Sequence, residues 1–255
     1  MRISISHDLN FYSNTLHCME NLINALTMKH NAEEIQDTEQ LLMNSKSQKT
    51  LSRDQVESIM ALYSNGHLQE AIDEIKSLND QYPNVPLLFN LMGACYQALN
   101  DFEAASQMFK TATKIKPDYS EAYFNLGIIY KALGKLNEAV ESFKSAIVIL
   151  PNYPDAHNNL GNALDELGQQ AAAIESYEWA IAYKSDYSQA YLNLAILYSK
   201  FDQHKAISFY EKAILSNPDY YSAYFNMAST YRHLGFKDKA IKSYEKAIEI
   251  KPDYA

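Results

Sequence analysis

The sequence predicts an all-α fold, a solenoid of antiparallel helix pairs, because one pattern of residues returns every 34 positions. Three observations support this prediction: a proline near the end of five of the six units, small residues in fixed columns, and aromatic residues in phase with them. The proline column holds Pro83, Pro117, Pro151, Ser185, Pro218 and Pro252, and one of its steps is 33 residues rather than 34. A helix pair this short cannot bury both of its faces, so neighbouring units must supply the core.

The unit from Tyr123 to Pro151 shows how each pair is built. Both halves carry apolar residues at three- and four-residue spacing, which predicts two amphipathic helices. The two stripes are Leu126, Ile129, Tyr130 and Leu133, then Ala139, Val140, Phe143, Ala146 and Ile147. Gly134 separates them because glycine adopts the left-handed backbone that ends a helix. Pro151 stops the second helix.

Small and aromatic columns predict how the two helices of a pair meet. The small column holds Gly93, Gly127, Gly161, Ala195 and Ala228, and an aromatic column holds Phe109, Phe143, Tyr177, Tyr210 and Tyr244. Small residues let two helices cross closely, and large rings fill the space beside the crossing. These columns therefore indicate packing.

A third column marks the turn inside each pair. It holds Gly66, Asn100, Gly134, Gly168, Asp202 and Gly235, all residue types that tolerate a left-handed turn position. The fifth unit is one residue shorter than the others. With Asp202 in the turn column, the missing residue is expected just after it, within residues 203–205.

The pattern resembles the tetratricopeptide repeat family over residues 52–254. The six predicted repeats are 52–85, 86–119, 120–153, 154–187, 188–220 and 221–254. The resemblance implies a right-handed superhelix whose concave groove is lined by the first helix of each pair. It also implies that the groove holds a peptide or a partner protein.

The two ends of the chain depart from the repeat. Residues 1–51 are expected to form an N-terminal extension, with a helix near residues 14–28, a weaker helix over 32–43 and a polar linker over 44–50. This extension is interpreted as a leader packed loosely on the first repeat, with a docking or dimerisation helix as the alternative. The last repeat has no polar cap, so we expect either a fragment of a longer protein or self-association through helix 236–251.

Composition narrows the class of partner. The net charge of −9, with scattered lysines and arginines, argues against nucleic acid or an anionic membrane as the main partner. Cys18 and Cys95 lie far apart, which favours free thiols in a reducing compartment. No apolar run is long enough to span a bilayer and no signal peptide is evident, so a cytoplasmic location is predicted.

Asparagines form the most distinctive column of the expected groove. The column holds Asn125, Asn159, Asn193 and Asn226. Stacked amides can donate to and accept from an extended peptide backbone whatever its sequence. This column resembles the asparagine ladder of O-linked N-acetylglucosamine transferases. The alternative is that these amides hydrogen-bond only within the array.

Further groove candidates lie beside this column. They are Phe124, Asn158, Leu192 and Phe225, then Asn162, and the charged residues Lys131 and Asp165. Asp165 lies in an acidic stretch of repeat four that is expected either to select a basic residue of a ligand or to form a solvated face. The residues of a carboxylate clamp, which some family members use to hold a C-terminal carboxylate, are not at the matching places.

No catalytic constellation, phosphate loop or metal-ligand spacing is apparent, so neither an enzyme nor a cofactor site is predicted. His157 stands in an aromatic column and is interpreted as a packing residue. Trp179 stands in a polar column of the second helix and is expected to be exposed. The predicted function is a protein-interaction scaffold. The alternative is the substrate-recruiting region of a larger glycosyl-, sulfo- or methyltransferase.

Overall fold

The computed structural model describes residues 51–252, and within this range the chain forms twelve α-helices in six consecutive pairs and no strand. The all-α prediction is therefore confirmed. The expected N-terminal extension, with its helices near 14–28 and 32–43 and its linker, lies outside the described residues apart from residue 51.

The helices are short and joined by short turns. Their bounds are α1 Arg53–Ser64, α2 Leu68–Gln81, α3 Pro86–Ala98, α4 Phe102–Ile115, α5 Ser120–Ala132, α6 Leu136–Ile149, α7 Pro154–Glu166, α8 Gln170–Tyr183, α9 Ser188–Ser199, α10 Gln203–Ser216, α11 Tyr221–His233 and α12 Lys237–Ile250. Odd-numbered helices are the first helix of each pair and even-numbered helices the second. The chain divides into two compact units, one ending at Asn125 and one beginning at Leu126, both within α5.

The first unit begins with a capped helix and encloses its own core. The Ser52 hydroxyl accepts from the backbone N–H of Gln55 at 3.3 Å, and the Gln55 side chain accepts from the Ser52 N–H at 2.9 Å, a reciprocal cap. Residues from α1, α2 and α3 form one apolar cluster. Cys95 is part of this cluster as a free thiol, and burial raises its pKa to about 12.

In the second unit each helix packs on the next one in sequence, and the first helices α7, α9 and α11 also meet their neighbours of the same kind. The pairs α5–α6 and α7–α8 approach closely at a glycine. A Cβ atom placed on Gly127 would lie 2.6 Å from the Phe143 ring, and one placed on Gly161 would lie 2.6 Å from the Tyr177 ring. Gly93 and Phe109 repeat this arrangement in the first unit. The three glycines of the small column are therefore positions where a ring takes the space of a side chain.

Five of the six predicted turn residues have the left-handed backbone. Their φ angles are 77° at Gly66, 60° at Asn100, 71° at Gly134, 75° at Gly168 and 80° at Gly235. These positive angles explain why glycine or asparagine stands there.

The expectation for Asp202 is wrong. Its φ is −142°, and its side chain caps α10 by accepting from the Lys205 N–H at 3.0 Å. Asp101 caps α4 in the same way by accepting from the Ala104 N–H at 3.0 Å. Asp202 therefore belongs to the cap column, and the missing residue precedes it, within residues 199–202. Aspartate suits both a cap and a left-handed turn, so residue type could not distinguish them.

No helix in the described part of the chain is both long enough and apolar enough to cross a membrane.

The contact between Gly161 and Tyr177 gives a stability prediction. Gly161→Ala should lower the free energy of unfolding by about 1 to 3 kcal/mol, because the new methyl group meets a buried ring in a filled core. Urea denaturation of the full chain measures this cost. In a Tyr177→Leu background the same change should cost clearly less, since the ring is gone. Equal costs in both backgrounds would contradict this explanation of the glycine column.

Candidate functional site

Three asparagines from the first helices of repeats four and five meet in the second unit. Asn158 and Asn162 lie on α7, and Asn193 lies on α9. The Asn193 side-chain nitrogen donates to Oδ1 of Asn158 and to Oδ1 of Asn162, both at 3.0 Å. We call these three residues the amide cluster. It links α7 to α9 by side chains alone, because the helices' own backbones already satisfy their N–H and C=O groups.

Three further hydrogen bonds are donated toward the amide cluster. Tyr220 donates to the Gln189 oxygen, and the Gln189 nitrogen donates to Oδ1 of Asn193 at 2.9 Å. Tyr177 donates to Oδ1 of Asn162 at 2.8 Å. Consecutive hydrogen bonds that point in one direction polarise each other, and this strengthens the donors at the end of the series.

The series of hydrogen bonds ends on Asn158 and Asn162, whose side-chain nitrogens are its last donors. Both side-chain oxygens accept within the cluster, and neither side-chain nitrogen has a hydrogen-bond partner among the described residues. Asn158 as a whole is 3% exposed, whereas Asn162 is half-buried. Because each amide nitrogen carries two N–H groups, this face offers donors to an acceptor-rich ligand.

Two ion pairs join first helices near their C-terminal ends. Lys200 on α9 donates to both oxygens of Asp165 on α7, at 2.8 and 2.9 Å. Lys131 on α5 lies 3.1 Å from Glu166 on α7. Lys200 and Glu166 are 45% and 50% exposed, so these pairs contribute little to stability. Their charges remain accessible to solvent.

A tyrosine from each following inter-repeat turn binds the start of a first helix. Tyr187 donates to Asp155 at 2.5 Å, and Tyr220 donates to Gln189 at the matching position one repeat later. Burial, and next the nearby Asp155 carboxylate, raises the pKa of Tyr187 far above its ordinary value. These side chains fix the spacing of α7, α9 and α11.

The predicted asparagine column follows a simple rule. Asn125 donates to the side chain of Asn90 at 3.1 Å, just as Asn193 donates to Asn158. Where the preceding repeat holds Leu192, Asn226 instead bonds its own helix at the Ser222 carbonyl, at 2.8 Å.

Other predicted groove residues differ in exposure. Asn159 is half-buried and donates to the Asp155 carbonyl at 2.9 Å. Phe124 is 1% exposed and Leu192 is 4% exposed. Phe225 is 38% exposed, and its ring meets Tyr244 edge-on at 5.4 Å. The accessible members of the predicted set are therefore concentrated in the second unit.

Sequence reasoning missed Gln189 and Tyr220 as parts of this site. Tyr220 stands in a column of tyrosines at the inter-repeat turns, and Gln189 occupies the position of Asp155 one repeat later. A polar residue there, 31 or 32 positions before a tyrosine, is the signal that could have found them.

The predicted exposure of Trp179 is confirmed, at 48%. Its ring stacks on Tyr183 with centroids 5.7 Å apart, and His157 lies 5.5 Å from Tyr183. His157 itself is 7% exposed, and its Nε2 lies 2.9 Å from the Pro151 carbonyl oxygen. Burial lowers the pKa of His157, with the Pro151 hydrogen bond opposing part of that shift. It is a packing residue, as its column predicts.

Two family descriptions match the chain. A TPR repeat model covers residues 93–134 and 129–168, and a tetratricopeptide repeat model covers 154–187, 188–220 and 221–254. No curated protein matches the sequence. Among the described residues no group of three or more His, Cys, Asp or Glu is arranged to hold a metal ion.

Solved structures of similar proteins agree with the family models. MamA is 32% identical, covering 64% of this chain and 95% of its own, with a TM-score of 0.59. YrrB, a TPR protein with an unusual peptide-binding site, is 20% identical over 71% of this chain and 93% of its own, with a TM-score of 0.57. PilF of Pseudomonas aeruginosa is 14% identical over 78% and 91%, with a TM-score of 0.69. The latter two show the fold alone.

The chain belongs to the tetratricopeptide repeat family. Its array of helix pairs is a protein-interaction scaffold, a class that is generally not catalytic.

The buried state of His157 predicts a pH dependence of stability. Its folded-state pKa lies below the ordinary 6.5, so the unfolded chain binds a proton more readily. Its contribution to stability is therefore present in full above about pH 6.5 and is lost as the pH falls through the folded-state pKa. Urea midpoints across this range measure the effect.

His157→Phe should reduce that pH dependence, since Phe89 holds the matching place in repeat two. The exposed His233→Gln variant is the control and should keep the wild-type profile. A His157→Phe profile that matches the wild type would contradict the assignment.

Proposed function

We propose that the array binds an extended segment of a partner protein on the first-helix face of the second unit. The amide cluster donates hydrogen bonds to backbone carbonyl oxygens of that segment. Asn162 is the half-buried donor, and the Asn158 nitrogen lies deeper, in a residue that is 3% exposed. Asn193 already uses both of its side-chain N–H groups within the cluster and holds the other two in place. The observation that carries the proposal is the pair of side-chain nitrogens without a partner in the described chain.

Backbone recognition fits these donors better than recognition of a particular side chain. An extended peptide offers carbonyl oxygens at regular intervals whatever its sequence, and amide side chains are matched to that acceptor. Preorganisation favours binding, because Gln189, Tyr220 and Tyr177 already hold the cluster in place.

The two ion pairs give the same face its charge selectivity. Lys131 and Asp165 each have an opposite charge across the helix interface, and each side chain is about a quarter exposed. A charged side chain of the ligand can replace one member of such an ion pair. The other member then still has a partner and is not left buried and unpaired. Asp165 and Glu166 thus favour a basic residue in the ligand.

The remaining predicted residues extend the proposed surface. Asn159, Asn226 and Phe225 line it, while the buried Leu192 shapes the helix beneath. Phe124 and Asn125 are buried in the first unit and do not form part of the proposed surface. A free Cys95 thiol fits the reducing cytoplasm that we propose as the compartment.

A peptide-binding experiment tests the amide cluster directly. Peptides are selected on the wild-type chain from a random phage-displayed library, and the affinity of the recovered peptide is measured by fluorescence anisotropy. Asn158→Ala combined with Asn162→Ala should weaken binding about tenfold or more, because each lost hydrogen bond contributes about 0.5 to 1.5 kcal/mol.

Asn137→Ala is the matched control, since Asn137 is an exposed asparagine on the second helix α6. It should leave affinity unchanged. Full affinity in the Asn158 and Asn162 variant, with an unaltered urea midpoint, would refute the proposed role of the cluster.

We also propose self-association through α12, because Ile241 and Ile248 on this helix are 55% and 47% exposed. Two copies can cover these side chains by packing α12 against α12. Sedimentation velocity over a concentration series should show a dimer that Ile241→Glu with Ile248→Glu abolishes. A wild-type chain that stays monomeric at every concentration would rule this out.

A further inference from the structure

Repeat five carries an aromatic and cationic cluster where its first helix turns into its second. The Lys205 ammonium lies 4.1 Å from the Tyr198 ring centroid and 2.6 Å from the Tyr198 hydroxyl. Phe201 packs against Tyr198 with ring centroids 5.2 Å apart. Phe201 is 54% exposed, so the cluster presents a ring and a cation to solvent.

Repeat six rebuilds the same cluster from a different local sequence. The Lys239 ammonium lies 5.4 Å from the Tyr231 ring and 5.5 Å from the Phe236 ring. Tyr231 and Phe236 meet edge-on at 6.3 Å, and Phe236 is 45% exposed. Lys205 and Lys239 are both the third residue of their helices. Phe201 lies two residues before the start of α10, whereas Phe236 lies one residue before the start of α12.

Repeats two to four lack this arrangement. The third residue of the second helix is Ala104, Glu138 and Ala172 there, and the residue just before that helix is Asp101, Lys135 and Gln169, where repeat six has Phe236. Packing alone therefore requires neither the lysine nor the exposed phenylalanine. Their appearance in two successive repeats points to a shared ligand rather than to the architecture.

The edge is also basic within an acidic chain. We call residues 200–205 and 232–239 the basic edge. It holds five Lys or Arg and two Asp, a net charge of +3 with histidine neutral, whereas the whole chain carries −9. Lys200 is paired with Asp165. Arg232, Lys237 and Lys239 form no ion pair with any residue of the described range.

Carboxylates near the edge offset part of this positive charge. Asp202 is engaged as the cap of α10. Glu178 lies close enough to raise the pKa of Lys205, after the larger effect of the Tyr198 hydrogen bond. Glu211 contributes to the raised pKa of Tyr231, after burial. The raised pKa keeps Lys205 protonated close to the exposed Phe201 ring.

We propose that the basic edge is a second docking surface, which binds an acidic segment of a partner protein that carries apolar side chains between its carboxylates. Carboxylates pair with Lys205, Lys237, Lys239 and Arg232, while Phe201 and Phe236 take the apolar side chains. Charge complementarity sets the sign of the ligand, and the two exposed rings set its amphipathic character.

A protein segment suits this surface better than a polyanion or a lipid bilayer. The basic edge is confined to two turns, and the acidic remainder of the chain repels a long nucleic acid or an anionic membrane. A short acidic segment needs only the few cations present.

Fluorescence anisotropy with the full chain tests this surface. The probe is a fluorescein-labelled peptide in which glutamates alternate with leucine and phenylalanine. The wild type should bind it, and binding should weaken as salt is raised. Lys205→Ala with Lys239→Ala should reduce affinity about tenfold, and Phe201→Ala with Phe236→Ala should do the same, since the site uses cations and rings together.

Matched controls separate this site from general electrostatics and from the amide cluster. Lys135→Ala with Lys144→Ala removes the same charge from repeat three and should leave affinity within about twofold. In an Asn158→Ala, Asn162→Ala background, which removes backbone binding at the amide cluster, Lys205→Ala with Lys239→Ala should still reduce affinity about tenfold. Lys205→Arg with Lys239→Arg should retain binding, and circular dichroism should show every variant folded.

Three results would overturn the proposal. The first is no binding of the peptide to the wild type, and the second is an equal loss in the repeat-three control. The third is tighter, Lys205- and Lys239-dependent binding of polyuridylate or phosphatidylserine vesicles, which would assign the edge to a nucleic acid or a membrane.

Discussion

The close approach of paired helices at a glycine is the constraint on which the rest of the second unit depends. At Gly161 the Tyr177 ring occupies the space of a side chain, so α7 and α8 cross with no room for a methyl group. The same ring then reaches Asn162 with its hydroxyl. One packing contact thus sets both the helix spacing and the position of an amide in the candidate site.

Polar contacts between repeats add order to this packing. Tyr187 and Tyr220 lie in the turns that follow repeats four and five, and each reaches back to the first helix of its own repeat. Asn193 reaches back to two asparagines of the preceding repeat. Such bonds are directional, so they fix rotation of the first helices where apolar contacts would tolerate several settings. The face that we propose for binding is therefore held by side-chain hydrogen bonds before any ligand arrives, which lowers the entropic cost of binding.

Some exposed residues differ from those at the matching positions of the other repeats. Repeat four carries the exposed Trp179 on its second helix. Repeat five loses its left-handed turn residue and gains an exposed Phe201. In a solenoid the shared columns satisfy the architecture, so residues that differ between repeats are free to serve binding.

The sequence by itself determined the all-α class, the helix pairs and four of the glycine turns, because periodicity and left-handed backbone are local properties. Only the tertiary structure decided that Asn193 bonds Asn158 while Asn226 bonds its own helix, and that Asp202 caps α10 instead of forming a left-handed turn. Those outcomes depend on which residue the neighbouring repeat or turn presents. A column of identical residues in the sequence does not predict the hydrogen-bond partner of each one, because the partner atoms are brought together only by folding.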